Sequence, residues 1–490
     1  MRRATAVLLA IALLSGCSSK ADQSEPEPAV DLAAELSERV TGAGMDVHLQ
    51  KLQEIADAHG GNRSDGSPGY DASADYVINA LQEKGFDVQA TEFERLETRN
   101  SGKPTLNVGG RAFLVDQASL LLPTPRGGLT GPVVKPTDSP GCAPADYPAT
   151  VAKGGVAVVD DTLCSIVTKQ KAASAKGAAA LVVISAGGRN DSPAGLFERG
   201  YYEELTIPVA VIGTEGGAAL RRATGPARVV LDGDTVKVKS RNIVAQTKTG
   251  STKDVVMVGA HLDSVPLGPG INDNGTGVAA VLETALQLGA EPSVTNAVRF
   301  AFWGAEEKRL AGSVDYVFGL DRDELNDIAV YLNFDMLGSP NAGFFTYDGD
   351  QSGTPSPDVD ADDVPIGSAG VERTLAGYLN LAGKRPADMP LAANSDYGPF
   401  LTAGVPIGGL TTGGPTNKTN VQARLWGGKP GVPFDPNYHS SRDTVKAVNR
   451  DALAIMGPAV AFAVGTYAAS IEGPNGLPVR DKRHRAAMGP

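Results

Sequence analysis

The chain has 490 residues, of which 42% are apolar and 20% charged, with a formal net charge of −12. At roughly 100–200 residues per domain this length holds two or three domains with a large core. The acidic balance excludes recognition of a phosphate backbone, so no nucleic-acid partner is expected.

At the N-terminus Arg2 and Arg3 precede an apolar run over residues 4–14. That run is too short for a bilayer core, which needs roughly 20 residues, and has the pattern of an export signal. It ends in Leu14-Ser15-Gly16-Cys17, which resembles the bacterial lipobox. The resemblance implies cleavage before Cys17 and lipidation of that cysteine. The chain is then exported and anchored by lipid on the outer face of the cell membrane. Residues 17–43 are polar, with Pro26 and Pro28, and read as a flexible tether. No later segment reads as a transmembrane helix, so the lipid is the only membrane contact expected. Cys142 and Cys164 are the other two cysteines, and an even count in an exported chain predicts a disulfide.

Apolar spacing predicts a helix over 46–58, through Leu49, Leu52, Ile55 and Ala56, closed by Gly60 and Gly61. A second helix is predicted over 71–84 and closed by Gly85, after which FDVQATEF alternates as a strand. Residues 104–236 differ in character, with many Pro and Gly turns around the apolar runs GGVAVVD, KGAAALVVIS and TIPVAVIG. This stretch resembles a protease-associated (PA) domain, a small β-rich module inserted in many exopeptidases. From 237 onward NIVAQT, DVVMVGA, AVRFAFW and AVYLNFD read as strands, with a helix over VAAVLETALQLG. Near-continuous apolar runs are expected of strands buried on both faces. The fold class is therefore α/β, a mostly parallel (mixed) central sheet sandwiched by helices, with the small domain inserted at 104–236. The catalytic domain is expected over 44–103 and 237–473, and the basic tail 474–490 is expected to be disordered.

Ligands of open α/β sheets bind beyond the carboxyl ends of the strands. DVVMVGA is followed by His261-Leu262-Asp263, AVRFAFW by Gly304-Ala305-Glu306-Glu307, and AVYLNFD ends in Asp335. The loop 269–275 adds Asp273, and a late loop adds Tyr438-His439. Imidazole and carboxylate donors together suit zinc. Five donors exceed the three typical of one catalytic zinc and suit two ions sharing a carboxylate.

Together GAHLDSV, GINDNGTG, WGAEE, NFDMLGSP and YHSS resemble the co-catalytic zinc aminopeptidases, which include secreted bacterial leucine aminopeptidases and the vacuolar aminopeptidase Y. The resemblance spans about 44–103 and 237–470. It implies two zinc ions bridged by Asp273, one completed by His261 and Asp335, the other by Glu307 and His439. It also implies Glu306 as general base and Tyr438 as hydrogen-bond donor to the oxyanion. Asp263 shares a face with His261 in an extended chain and is expected to hold its second ring nitrogen. Peptides with Leu-like N-termini are the implied substrates, and a monomer is expected. Some relatives bind calcium, but no ligands for it can be matched here.

Three departures from the family stand out. Lys308-Arg309 follow Glu307 where Gly-Leu is frequent, Asn394 stands where some relatives carry Arg, and Asn437 and Arg442 stand where some secreted relatives carry a disulfide-forming pair of cysteines. The same ligands also serve carboxypeptidases, dipeptidases and glutaminyl cyclases on this scaffold. A surface-binding protein without activity is the reading from another class, although such proteins typically lose ligands and none is lost here.

Overall fold

A computed structural model describes residues 31–486 except 101, 116, 119–120, 138–139, 150–153, 186–203 and 393. The export signal, Cys17 and the last four residues lie outside the described residues. The expected tether ends earlier than residue 43. Asp31 caps the helix Leu32–Arg39, and Leu36 and Val40 are buried against the helix Arg450–Ala469. The next helix, Gly42–Ala58, starts at the Thr41 cap, whose hydroxyl accepts from Gly44 N–H. The third, Pro68–Glu83, starts three residues before its predicted position because Ser67 caps it and Pro68 opens its first turn.

Two mixed sheets follow. The strands of the first are β1 (Asp87–Asn100), β10 (Asp234–Gln246), β11 (Ser251–His261), β12 (Asn296–Trp303), β13 (Ile328–Phe334), β14 (Phe345–Tyr347), β15 (Ala387–Met389) and β16 (Ile407–Thr411). Their order is β1-β10-β12-β11-β13-β16-β14-β15, and the central four, β12-β11-β13-β16, are parallel. The second sheet holds β2 (Thr105–Val108), β3 (Arg111–Leu114), β4 (Gln117–Ala118), β5 (Leu129–Val134), β6 (Gly155–Asp160), β7 (Ala178–Ile184), β8 (Val209–Ile212) and β9 (Pro226–Val230). The helix Ile166–Ala175 connects its parallel strands β6 and β7. Cys142 and Cys164 form a disulfide in this small domain.

Alternate residues of β11 enter different cores. Val256, Val258 and Ala260 pack under the helices Gly42–Ala58, Thr276–Leu288 and Arg450–Ala469, while Met257 faces the opposite layer with Trp303, Tyr331 and Phe400. Burial on both faces explains the unbroken apolar run. The helix Arg450–Ala469 is long and apolar enough to cross a membrane by length and composition, contrary to the sequence expectation. It lies against the central sheet, with Leu453, Met456, Val460, Val464 and Tyr467 in the core.

The tail also departs from expectation. Residues 474–486 fold back onto the edge of the sheet opposite the carboxyl ends of the parallel strands. Arg483 and Arg485 are buried there and donate to the carbonyls of Lys253, Asn326, Leu325, Ile328 and Gly404. Satisfied carbonyl acceptors make this burial of guanidinium groups tolerable.

Candidate metal centre

From β11 the chain crosses to β12 on one side and then to β13 on the other, so the carboxyl end of β11 faces a switch point in strand order. His261 ends β11, Asp335 follows β13, and Glu306-Glu307 form a short turn after β12. Ala305 before that turn has φ 55°, and Met336 and His439 have φ 57° and 53°. Left-handed backbone in side-chain-bearing residues costs energy and clusters at functional sites.

Five side chains converge. His261 Nε2 lies 3.3 Å from Asp273 Oδ1 and 3.5 Å from Asp335 Oδ1. His439 Nε2 lies 3.2 Å from Asp273 Oδ2 and 3.1 Å from Glu307 Oε1. These contacts form two triads, His261–Asp273–Asp335 and Asp273–Glu307–His439, which share Asp273 through its two different oxygens. Ligands about 2.0–2.1 Å from one tetrahedral ion stand about 3.3 Å apart, which is the spacing seen. Glu307 Oε1 and Asp335 Oδ1 are buried and accept no hydrogen bond. Buried acceptors left so, facing ring nitrogens at that spacing, fit a pair of cations. Glu306 belongs to neither triad, and its Oε2 is 4.0 Å from His261 Nε2.

The electrostatics agree. Burial opposes charge on His261, but Glu306 and Asp335 overcome it and hold its pKa well above that of an ordinary histidine. Burial likewise opposes charge on His439, yet Asp273 and Glu307 raise it to about 10. Burial drives Glu306 well above the usual carboxylate range, with Asp396 and Asp335 adding to it. This much negative charge in one cleft calls for compensating cations.

The surrounding residues hold the donors in place. His261 Nδ1 is 3.1 Å from the main-chain carbonyl of Asp263, while the Asp263 carboxylate stands off at 3.6 Å. The expected carboxylate–histidine hydrogen bond is thus replaced by a carbonyl. The carboxylate instead accepts the N–H groups of Glu306 and Glu307. Asp443 accepts the N–H groups of Asn272 (2.8 Å) and Asp273 (3.0 Å). Ser395 donates to Asp335 Oδ2 at 3.1 Å, leaving Oδ1 for a cation. Sequence reasoning missed Asp443 and Ser395 because each acts on a ligand's backbone or spare oxygen, which leaves no spacing signal. Tyr438 stacks on His439 with ring centroids 3.7 Å apart, and burial raises its phenol above the ordinary range.

Of the departures, Arg309 and Asn394 are exposed, and Lys308 is partly exposed. Arg442 Nη2 donates to Pro436 O at 3.0 Å, closing the Tyr438–His439 loop. A third acidic group, Asp348, Glu372 and Asp388, lies outside this centre, and Asp348 and Glu372 already accept main-chain N–H groups.

Two donor triads on a shared aspartate, at the carboxyl edge of a parallel α/β sheet, have the form of a metal-dependent hydrolase. The sequence matches Peptidase family M28 over residues 242–464 and the PA domain over 129–220. It is 49% identical over 488 residues to a Mycobacterium tuberculosis protein named "Probable lipoprotein aminopeptidase LpqL", covering 98% of this chain and 96% of that one. It is 34% identical to leucine aminopeptidase 2 of Trichophyton rubrum, over 90% of this chain and 86% of that one. The aminopeptidase from Aneurinibacillus sp. strain AM-1 shares the fold, with a TM-score of 0.51 at 22% identity over 92% of this chain and 98% of that one. The chain belongs to peptidase family M28 and is a zinc-dependent hydrolase with an inserted PA domain.

Proposed function

We propose that this protein is a two-zinc aminopeptidase that removes apolar, Leu-like residues from free peptide N-termini. The observation that carries the reading is the sharing of Asp273: its two oxygens face two histidines, each completing a separate triad. His261, Asp273 and Asp335 would hold one zinc, and Asp273, Glu307 and His439 the other. Bound zinc supplies acidification of water and polarisation of the scissile carbonyl. Glu306, free of ligand duty and 4.0 Å from His261 Nε2, takes the proton from the attacking water and delivers it to the leaving amine. Tyr438 donates a hydrogen bond from its hydroxyl to the oxygen on which negative charge develops. The names of the relatives support the aminopeptidase direction and the leucine preference.

The name of the mycobacterial relative also supports export and anchoring through Cys17. The residues between Cys17 and the Leu32–Arg39 helix would set the distance to the membrane.

Purified protein given zinc should hydrolyse leucine p-nitroanilide, and a chelator should abolish the activity. Peptides with acetylated N-termini should resist. Equal cleavage of free and acetylated peptides would sink the aminopeptidase reading.

A further inference from the structure

The loop joining the helices Gly42–Ala58 and Pro68–Glu83 has no part in the chemistry above, yet it carries Arg63, whose side chain is fully buried. Its guanidinium donates to three main-chain carbonyls: Nη1 to Leu262 (2.5 Å), Nε to Pro269 (2.8 Å) and Nη2 to Gly270 (2.7 Å). These acceptors lie at the two ends of the loop that joins His261 to Asp273. Leu262 follows the first ligand directly, and Gly270 lies shortly before the second. One planar group therefore ties both ends of the segment that sets the spacing between two metal ligands.

The main chain of Arg63 adds to the clamp. Its N–H donates to Ser264 Oγ at 2.9 Å, and its carbonyl accepts Ser264 N–H at 3.2 Å. Ser264 Oγ also donates to Gly268 O at 3.0 Å. Gly270, at φ 61°, is folded back so tightly that a Cβ there would lie 2.5 Å from Ser264 Cβ. Asp443 holds the other side of the same loop through the amides of Asn272 and Asp273. A cation thus takes the loop's carbonyls and an anion its amides, the pairing that hydrogen-bond polarity requires. Burial lowers the Arg63 pKa to about 10, which leaves the group charged at neutral pH, with Asp263, Asp443 and Asp273 near enough to counter it.

We infer that Arg63 is a positioning residue for the metal centre, fixing the 262–270 loop so that His261 and Asp273 stand at ligand spacing before a cation arrives. This rests on the two-zinc reading. A preorganised donor set binds more tightly than one that must be ordered on binding. A lysine, with one compact ammonium, cannot span three carbonyls set in a fork.

The test measures zinc affinity of the purified protein by competition with a chromogenic chelator, kcat and KM at saturating zinc, and the melting temperature of the zinc-free protein. The unaltered protein should take up two zinc ions. Arg63→Met should bind the more weakly held ion at least ~10-fold less tightly, in the range seen when supporting hydrogen bonds of a metal site are lost. Its kcat should fall at saturating zinc while KM stays within about twofold. Arg63→Lys should recover part of the zinc affinity. Uptake of fewer than two ions by the unaltered protein would count against the two-zinc reading, not against the clamp. Unchanged zinc affinity and kcat in a folded Arg63→Met protein would overturn the inference. If Arg63→Met does not fold, Arg63→Lys and Ser264→Ala decide by the same readouts, and unaltered zinc affinity in both overturns it.

Discussion

The carboxylate of Asp263 accepts the main-chain N–H groups of Glu306 at 3.0 Å and of Glu307 at 3.3 Å, so the loop after β11 holds the turn after β12. Both oxygens of one buried side chain thereby set the direction of Glu306 and Glu307, the proposed general base and metal ligand. An amide at this position would turn a donor toward one of those N–H groups. Asp263→Asn should lower kcat by about 10–100-fold with KM nearly unchanged, a loss typical of groups that orient a metal site. Steady-state kinetics with zinc analysis of the same sample checks this.

Adjacent glutamates are expected to fail differently. Glu306→Gln should retain its zinc and lose about 10²–10⁴-fold in kcat, the range for a positioned proton-transfer group. Glu307→Gln should lose zinc from one of the two triads. Atomic absorption beside activity separates the two outcomes, and equal zinc loss in both variants would remove Glu306 from its assigned role.

The folded-back tail should contribute stability without touching catalysis. Arg485 makes three hydrogen bonds to main-chain carbonyls, two of them buried, and Arg483 joins carbonyls to the Asp254 carboxylate. Losing one charged hydrogen bond typically costs about 1.5–3 kcal/mol. Arg485→Met should therefore lower unfolding stability by about 2 kcal/mol or more in urea, while kcat at 25 °C stays unchanged.

Glu372 gives a pH signature away from the metal centre. Burial raises its pKa to about 7, with Asp350, Asp388 and Asp348 adding repulsion. A carboxyl whose folded pKa exceeds its unfolded value binds more protons in the folded state. Its stabilising contribution is full below about pH 4.5 and is lost as pH rises through 7. The stability of the unaltered protein relative to Glu372→Gln should thus fall between pH 4.5 and 7, read from urea midpoints at constant salt. A flat difference across that window would refute the assignment.

Much of this site can be read from the order of residues, because β11, β12 and β13 are apolar on both faces and their chemistry begins where the apolar runs stop. His261, Glu307 and Asp335 stand out for that reason, and Asp273 and His439 through the motifs around them. The supporting residues do not stand out. Arg63 and Asp443 act on carbonyls and amides, which every residue possesses, so nothing in their neighbours marks the contact. A tail this polar and basic reads as disordered from its sequence. Its order comes from main-chain acceptors at the far edge of the sheet, visible only once the strands are assembled. The helix Leu32–Arg39 was hidden similarly, since Leu36 and Val40 find their partners only in the helix Arg450–Ala469.

The route into and out of the small domain carries a last consequence. Strands β1 and β10 pair antiparallel from Asp87–Gln246 to Asn100–Asp234, the points where the chain leaves and returns. In topology, the whole second sheet is the turn of a β-hairpin. The entropy of closing such a turn grows only logarithmically, about 0.6 kcal/mol per doubling of length. The hydrolytic half can thus carry so large a passenger at little cost, and the passenger can diverge in sequence without disturbing the strand ends that bear His261, Glu307 and Asp335.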